Sequence, residues 1–486
     1  MEKRKFFSDL LFVQGINIFI KAIWILVIDR AVQNLLPQEE YGRYFSLFSF
    51  TILFIIVLDV GINNLNSRSV ASDPSYFTKN FLGFISAKIG LSIFFAVLVY
   101  SVAHILEYSE NQMKLLLPLV LFQIGISFNQ YLRSNVSAMH RFKLDGVLAV
   151  ADRFLVIIVC GSWLLYEPWS HLLTIENFVL VQLLGIVFTL CLGLYINLFV
   201  LGKIQFRIRL PDIARLLKKS MPYALLAALM AFFTRVDAVM ISQFLGDAEA
   251  DRYAMAYRLL DAGNMVAVLL AGMLLPMFAR ILKEKTEIAI LTGLSARLLI
   301  APALIVAIMV GSHPTEILSL MYPEKIAVLA PATFGLLMWS FAAICAIYIY
   351  GTLLTAAEDL KFLNILAASC ALANVLLNVY LIDVMGVKGA ALATLITQGI
   401  FAIACLWRSK KWMKITGSGS SRIIAVAGLA LFAGLFFGTK QFFENVFVHI
   451  ALGAVVAFAY VVASGRSSME DLRRMSRRKT QEPSDI

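Results

Sequence analysis

The sequence has 486 residues, of which 60% are hydrophobic and 15% are charged, and its formal net charge is +11. A soluble domain is nearer to half apolar and a quarter charged, so this composition excludes an ordinary soluble protein. Apolar residues occur in runs of roughly 18 or more, long enough for a helix to cross a bilayer. Basic residues stand in short clusters between these runs, which excludes a nucleic-acid-binding patch. We predict an all-α polytopic membrane protein.

The hydrophobic runs predict about fourteen transmembrane helices: two lobes of six helices and two extra C-terminal helices. The predicted spans cover about 9–33, 41–63, 79–104, 115–137, 145–166, 177–201, 217–243, 251–281, 287–311, 327–355, 362–383, 387–407, 422–439 and 446–464. The predicted domains are an N-terminal lobe (1–202), a basic cytoplasmic linker (203–220), a C-terminal lobe (221–408), the extra helix pair (409–464) and a basic cytoplasmic tail (465–486).

The loops between the spans indicate the orientation of the chain. With a cytoplasmic N-terminus, the predicted inner segments hold roughly four times as many Lys and Arg residues as the outer segments, in agreement with the positive-inside rule. The first apolar run contains Lys21 and is longer than the core of a signal peptide, so we expect it to be retained as a span. An even number of spans then places both termini in the cytoplasm.

Two short sequences recur in the same order. The turn motif L-P-Q-E-E-Y-G-R-Y at Leu36–Tyr44 returns as L-G-D-A-E-A-D-R-Y at Leu245–Tyr253. Further along, S-A-M-H-R-F-K-L at Ser137–Leu144 is similar to T-A-A-E-D-L-K-F at Thr355–Phe362. These echoes predict a duplicated membrane unit. Because six spans separate equivalent points, the two lobes are predicted to be parallel repeats related by an axis along the membrane normal.

Ionisable residues lie inside several predicted spans, where each costs about 2.5–3.5 kcal/mol at a helix centre. The basic ones outnumber the acidic ones, so we expect a cationic excess that faces a watery cavity. Arg133 is near a span end, where snorkelling is an alternative. Arg153 beside Asp152, and Arg258 one turn from Asp261, are alternatively structural ion pairs. The basic set is Lys21, Lys88, Arg133, Arg153, Arg235, Arg258 and Arg297, and the acidic set is Asp59, Asp152, Asp237 and Asp261.

Polar residues at helical spacing form stripes on two predicted spans. Gln14, Asn17 and Lys21 share one face of span 1. A longer stripe on span 4 comprises Gln123, Ser127, Gln130, Ser134 and Ser137. Both stripes predict a polar cavity wall, with hydrogen bonding between helices as the alternative. His449, in the last span, is interpreted as an incidental polar residue.

No catalytic or metal-binding pattern is present in the sequence. There is no Gly-rich phosphate loop, no metal-ligand spacing of His and Cys, and no Ser-His-Asp set in an outer loop. The five cysteines lie singly within apolar runs, so neither a disulfide framework nor a zinc site is indicated. We predict a protein that is not an enzyme, needs no cofactor and draws its energy from an ion, potential or substrate gradient.

Four motifs carry a resemblance to a known family. They are L-P-x-E-E-Y-G-x-Y at Leu36–Tyr44, L-D-V-G-I at Leu58–Ile62, T-R-V-D-x-V-M-I-S at Thr234–Ser242, and T-A-A-E-D-L-K-F-L-N from Thr355. With them the chain resembles the polysaccharide transporters, the O-antigen and capsule oligosaccharide flippases of the multidrug/oligosaccharidyl-lipid/polysaccharide (MOP) exporter superfamily. The resemblance implies a two-lobed fold whose central cavity opens alternately to each side of the bacterial inner membrane. It also implies flipping of undecaprenyl-diphosphate-linked oligosaccharides for surface polysaccharide synthesis.

An anionic diphosphate headgroup would match the cationic excess. The candidate substrate contacts are therefore Lys21, Lys88, Arg153, Arg235, Arg258 and Arg297, and the candidate ion-coupling or structural acids are Asp59, Asp237 and Asp261. Expected partners are the lipid-linked oligosaccharide, membrane lipids, sodium or protons, and a polysaccharide polymerase. Alternative functions are flipping of lipid II or of teichoic or teichuronic precursors, and cation-coupled drug efflux. The short outer loops disfavour a glycan polymerase or ligase.

Overall fold

The computed structural model describes residues 15–201, 213–284 and 288–413, with single residues and short stretches between 432 and 459. Within these ranges the chain is helical and contains no strand. Ten of the helices are long and apolar enough to cross a membrane. The predicted all-α polytopic membrane fold is therefore confirmed. Gln14, the first part of the predicted linker and the C-terminal tail lie outside the described residues.

The chain divides into two compact units, 1–258 and 259–486. Helix α1 covers 15–35 and contains a π-helical segment at Trp24–Asp29. The other helices that begin in the first unit are α2 (Gln38–Leu53), α3 (Ile62–Ser72), α4 (Ser75–Ile105), α5 (Glu110–Ala138), α6 (Phe142–Leu165), α7 (Ile175–Tyr195), α8 (Ile213–Leu245) and α9 (Asp247–Glu284). Helix α8 thus begins within the segment predicted as a linker.

The second predicted span is not one continuous helix. Helix α2 is followed by a 3-10 turn at Ile55–Leu58, and the chain becomes helical again only in α3. Between them, Val60 and Gly61 have φ angles of 43° and 87°. Glycine adopts this left-handed region readily, whereas a β-branched residue does so at a cost. The L-D-V-G-I motif therefore marks a helix break, which the hydrophobic pattern alone does not reveal.

Helix α4 has one exposed face and one buried face. Ile89, Ile93 and Val97 recur at steps of four and are exposed. The opposite face is buried and carries Phe84 and Lys88. A continuous exposed apolar stripe on a helix of this length is the surface that lipid chains cover. Lys88 accordingly points into the protein.

Five further helices are described in the second unit. Its helices are α10 (Ile288–Ser312), α11 (Pro314–Met321), α12 (Pro331–Ala356), α13 (Leu360–Met385) and α14 (Val387–Met413). The core between α9, α10 and α12 includes Phe278, Leu299, Cys345 and Ile349. The described residues between 432 and 459 are helical, and Phe436 among them packs against Ile305 and Met309 of α10.

The second pair of similar sequences, Ser137–Leu144 and Thr355–Phe362, has the same backbone geometry in both units. Its helix ends at a left-handed residue each time, His140 with φ 58° and Glu358 with φ 60°. The backbone N–H of the next residue, Arg141 or Asp359, donates to the carbonyl five residues earlier, at 3.1 and 3.0 Å. This is the hydrogen-bond pattern of a Schellman motif. Identical helix ends at matching positions support the predicted duplication.

Candidate functional site

The two copies of the turn motif meet within the first unit. The turns connect α1 to α2 and α8 to α9, and Gly42 of the first lies against the backbone of the second. A Cβ atom at Gly42 would lie 1.7 Å from the carbonyl oxygen of Asp247. The Gln33 amide donates to Asp251 Oδ1 at 2.7 Å, and Arg43 Nε lies 3.4 Å from Asp247 Oδ2. The absence of a side chain at Gly42 is what permits this approach.

A buried ion pair lies beneath the paired turns. Arg258 Nε is 2.9 Å from Asp29 Oδ2, and the Tyr41 hydroxyl donates to Asp29 Oδ1 at 3.0 Å. Arg258 also donates to the Tyr41 hydroxyl, and its guanidinium lies over the Phe45 ring. Asp29 and Arg258 are both buried. Arg258 was predicted as a substrate contact, whereas the sequence did not single out Asp29, although it stands inside a predicted span.

A cluster of basic side chains occupies a second position in the first unit. Lys21 of α1 interacts electrostatically with Arg133 of α5, and with Arg153 and Asp152 of α6. Arg133 Nε lies 2.7 Å from Asp145 Oδ1, and Arg153 Nε lies 3.5 Å from Asp152 Oδ2. Three positive charges therefore face two negative ones. With the described residues Lys21 itself forms no hydrogen bond or ion pair, so the cluster retains a positive charge.

Aromatic rings surround the Arg153 guanidinium. Its Cζ lies 4.8 Å from the Trp24 ring centroid and 5.6 Å from that of Phe122. Its Nη1 donates to Gln182 Oε1 at 3.4 Å, and the Gln182 amide donates to the Tyr44 hydroxyl at 3.1 Å. Flat rings beside a partly exposed guanidinium hold its planar fork in one orientation, which suits recognition of an oxyanion.

The polar face of α1 is only partly described. Asn17 and Lys21, one turn apart, are both half-buried. The Asn17 carbonyl oxygen is shielded from solvent and has no hydrogen-bond partner among the described residues. Gln14 lies outside them. The predicted polar wall on α1 therefore remains a prediction, with Asn17 as an unsatisfied acceptor next to the basic cluster.

The polar stripe on α5 faces the broken second span. Gln123 donates to the Thr51 hydroxyl at 3.2 Å, and Ser127 donates to the Leu58 carbonyl at 3.0 Å. Both side chains are buried. Interhelical hydrogen bonding, the alternative interpretation of this stripe, therefore accounts for these two positions. Gln130, in contrast, is exposed and accepts a long hydrogen bond of 3.5 Å from Asn63.

Lys88 of α4 also contacts the break in the second span. Its Nζ donates to the Leu58 carbonyl at 3.1 Å and to the Ser127 hydroxyl at 2.7 Å, and lies 3.6 Å from Asp59 Oδ1. Asp59 also accepts from the Asn63 backbone N–H at 3.1 Å. The predicted substrate contact Lys88, on α4, and the predicted acid Asp59, in the break of the second span, are thus neighbours.

A chain of asparagines links three helices of the first unit. Asn66 of α3 donates to Asn135 of α5 at 2.6 Å, which in turn donates to Asn197 at the end of α7 at 3.0 Å. All three are buried. The Asn197 amide also donates to the Gly193 carbonyl at 2.8 Å, where the helix widens into a π segment. No sequence pattern predicted a role for these residues.

Arg235 and Asp237 lie on one helix but have different surroundings. The Arg235 guanidinium lies over the Tyr257 ring, 5.3 Å from its centroid. Asp237 is buried and accepts a hydrogen bond of 3.1 Å from the Tyr253 hydroxyl. Tyr253 belongs to the second copy of the turn motif. Asp237 therefore holds α8 against α9, while Arg235 is only half-buried.

In the second unit, the predicted residues Arg297 and Asp261 lie on α10 and α9, and both are half-buried. A feature of that unit that the sequence did not predict is a histidine pair. His313 Nε2 and His449 Nδ1 are 2.9 Å apart, and both rings are buried. The Phe436 ring stacks on His449 at 4.1 Å. Within the described residues, no group of three or more His, Cys, Asp or Glu side chains could hold a metal ion.

Comparison with known proteins decides the family. A family model described as polysaccharide biosynthesis protein matches residues 7–282, more than half of the chain. The chain belongs to this family. The family lies in the MOP exporter superfamily, as the motifs suggested. No functionally curated protein matches the sequence.

Solved structures of MOP transporters share the fold. The lipid II flippase MurJ in an inward closed conformation is 18% identical, with a TM-score of 0.65 over 96% of this chain and 99% of that one. A mutant of the Vibrio cholerae MATE transporter VcmN is 14% identical, with a TM-score of 0.60 over 85% and 98%. A MOP transporter from Pyrococcus furiosus is 15% identical, with a TM-score of 0.60 over 84% and 96%. At identities of 14–18%, this likeness shows a shared fold and no more.

Proposed function

We propose that the protein flips undecaprenyl-diphosphate-linked oligosaccharide repeat units across the bacterial inner membrane by alternating access, for synthesis of a surface polysaccharide. The observation that carries the proposal is the basic cluster of Lys21, Arg133 and Arg153. Its positive charge exceeds that of its acidic neighbours, and Lys21 has no hydrogen-bond or ion-pair partner among the described residues. Membership in the polysaccharide biosynthesis family supports the same cargo class.

A diphosphate supplies negative charge that would balance the excess positive charge of the basic cluster. It is anionic and offers several acceptor oxygens, which an ammonium and a guanidinium fork bind with charge-assisted hydrogen bonds. We assign the headgroup contact to Lys21 and Arg153, with Arg235 as a further contact in the same unit; Arg297 of the second unit stays a predicted contact. Lys88 and Arg258 are buried beside Asp59 and Asp29. We therefore assign them a role in conformational change. A drug-efflux antiporter for cationic compounds would not favour a positive cluster.

A second candidate function is flipping of lipid II. The lipid II flippase MurJ aligns over 96% of this chain. Lipid II also carries a diphosphate, so the same basic cluster would serve it. The two cargoes differ in their sugars and in their consequence for the cell, because loss of lipid II flipping blocks wall synthesis.

The first test is a deletion strain. We expect a viable strain that lacks a surface glycan and accumulates complete repeat units on the lipid carrier at the cytoplasmic face. Arrested growth with accumulated lipid II would replace the oligosaccharide cargo with lipid II. Normal polysaccharide with raised sensitivity to cationic drugs would overturn the proposal in favour of efflux.

Variants test the basic cluster directly. Lys21→Met and Arg153→Met should each abolish glycan export in the deletion strain while the protein reaches its normal abundance. Lys114→Met is the matched control, since Lys114 is exposed and, among the described residues, pairs with Glu110 one turn away. Full complementation by both cluster variants would show that the cluster does not bind the cargo.

A further inference from the structure

The break in the second span leaves one backbone carbonyl to be satisfied by side chains. In a continuous α-helix, the N–H of Ile62 would donate to the carbonyl of Leu58. Here the Ile62 N–H donates instead to the Asp59 carbonyl at 2.8 Å. The Leu58 carbonyl accepts from Lys88 Nζ at 3.1 Å and from the Ser127 hydroxyl at 3.0 Å. Lys88 and Ser127 therefore take the place of a helical hydrogen bond.

The oxygens around Lys88 resemble a cation site. A carbonyl at an unwound helix, a hydroxyl and a carboxylate are groups that bind coupling ions in transporters built from broken helices. At this position the Lys88 ammonium is the cation, with the Leu58 carbonyl, the Ser127 hydroxyl and Asp59 Oδ1 at 3.1, 2.7 and 3.6 Å. A tethered ammonium excludes sodium from these oxygens, but it can lose a proton.

The backbone at the break is held under strain. Val60 is β-branched and has a φ angle of 43°, a conformation that costs on the order of 1–3 kcal/mol. Such a conformation persists only while its surroundings impose it. Lys88 binds the Leu58 carbonyl two residues before Val60, so its ammonium is the group placed to hold the strained turn. A strained turn held by an ionisable side chain can relax when that side chain loses its charge.

We propose that Lys88 is the proton-carrying residue that couples ion movement to a bend in the second span. The proposal deepens the proposed function and rests on it only in taking the bend as part of a transport cycle. The ammonium passes one proton to the Asp59 carboxylate, which gives a neutral amine and a carboxylic acid. Asp59 then releases the proton to water. A neutral amine donates a weaker hydrogen bond than an ammonium, so the Leu58 carbonyl then accepts from the Ile62 N–H and the second span becomes helical through the break.

The surroundings of Lys88 fit this route for the proton. Lys88 is 1% exposed, whereas the Asp59 side chain is 28% exposed, so Asp59 is the more accessible member of the pair. Asp59 is the titratable group among the described residues that interacts electrostatically with Lys88. The facing residue of α5 is Ser127, which is uncharged over the pH range of a cell. Proton exchange therefore has one acidic intermediary.

The test measures the length of the second span as a function of pH without any cargo. Spin labels at Glu39 and Ser72, both exposed, mark its two ends in a background whose five cysteines are replaced. A continuous helix would place these positions about 50 Å apart, and a break brings them closer. In phosphatidylethanolamine–phosphatidylglycerol vesicles, we expect pulsed electron–electron distances that lengthen as pH rises, along a single titration curve.

Two variants of Lys88 should each hold the protein at one extreme of the titration, with a constant distance between the spin labels. Lys88→Arg keeps a charge that is not lost in proteins, so it should hold the short distance at every pH. Lys88→Met has no charge and should hold the long distance at every pH. A wild-type distance that does not change with pH, or a Lys88→Arg protein that titrates like the wild type, would overturn the proposal. Because no cargo is present, this outcome is independent of which lipid-linked glycan the protein carries.

Discussion

Replacement of Gly42 by alanine tests the close approach of the two turn motifs. The new Cβ would lie 1.7 Å from the Asp247 carbonyl oxygen and 2.8 Å from the Asp251 backbone nitrogen. A carbon and an oxygen approach no closer than about 3.3 Å, so the two helices must separate by roughly 1.6 Å. Gln33 of α1 donates to Asp251 of α9 at 2.7 Å, so a displacement of α9 by that amount would take this contact beyond hydrogen-bonding distance.

The expected cost follows from these two effects. Overpacking typically costs about 1–3 kcal/mol, and loss of a buried hydrogen bond to a charged group costs about 1.5–3 kcal/mol more. Gly42→Ala should therefore destabilise the protein by about 2.5–6 kcal/mol. Gly90→Ala is the matched control, since Gly90 lies in α4 and a Cβ atom added there would have no atom within 4 Å. That change should be neutral or stabilising by up to about 1 kcal/mol.

The assay is thermal unfolding of both purified variants in the same lipid nanodiscs, followed by tryptophan fluorescence, together with glycan export in the deletion strain. We expect Gly42→Ala to unfold well below the wild type and Gly90→Ala to unfold at or above it. If the two variants unfold at the same temperature, the turns are not packed closely enough to exclude a methyl group, and the reasoning is refuted.

Two further changes probe charged groups. Asp29→Asn leaves Arg258 buried without its carboxylate and should cost about 3–5 kcal/mol; combined with Arg258→Met it should cost less than the sum of the single changes, and strict additivity in the same unfolding assay would argue against a coupled pair. Asp73 lies between α3 and α4, where hydrogen bonds from the Ser75 hydroxyl and backbone N–H lower its pKa. Its stabilising effect should therefore be present above the unfolded pKa of about 3.9 and be lost as pH falls through the lower folded value. The difference in unfolding midpoint between wild type and Asp73→Asn should shrink in acid; a difference that stays constant from neutral to strongly acidic pH would contradict this.

The sequence predicted the helices and the adjacent charges but not the contacts between distant helices. Apolar runs and the Arg153–Asp152 neighbourhood are local patterns, and the structure places that pair 3.5 Å apart. The partner of Arg258 is Asp29, more than 200 residues away, and only the packing of α1 against α9 brings them together. The break at Val60 was hidden for a related reason, because hydropathy records how apolar a segment is and not where its backbone turns.

The asparagine chain has a consequence for the order in which this protein is made. Asn66 and Asn135 are 69 residues apart, a distance that a ribosome covers in about 3–14 seconds. Until α5 is made, the Asn66 amide lacks Asn135, the side chain to which it donates, and a bilayer interior supplies no replacement acceptor. The early helices must therefore remain beside the insertion machinery, or beside each other at the aqueous edge, until the fifth helix emerges. Insertion of α3 is in that sense coupled to insertion of α5.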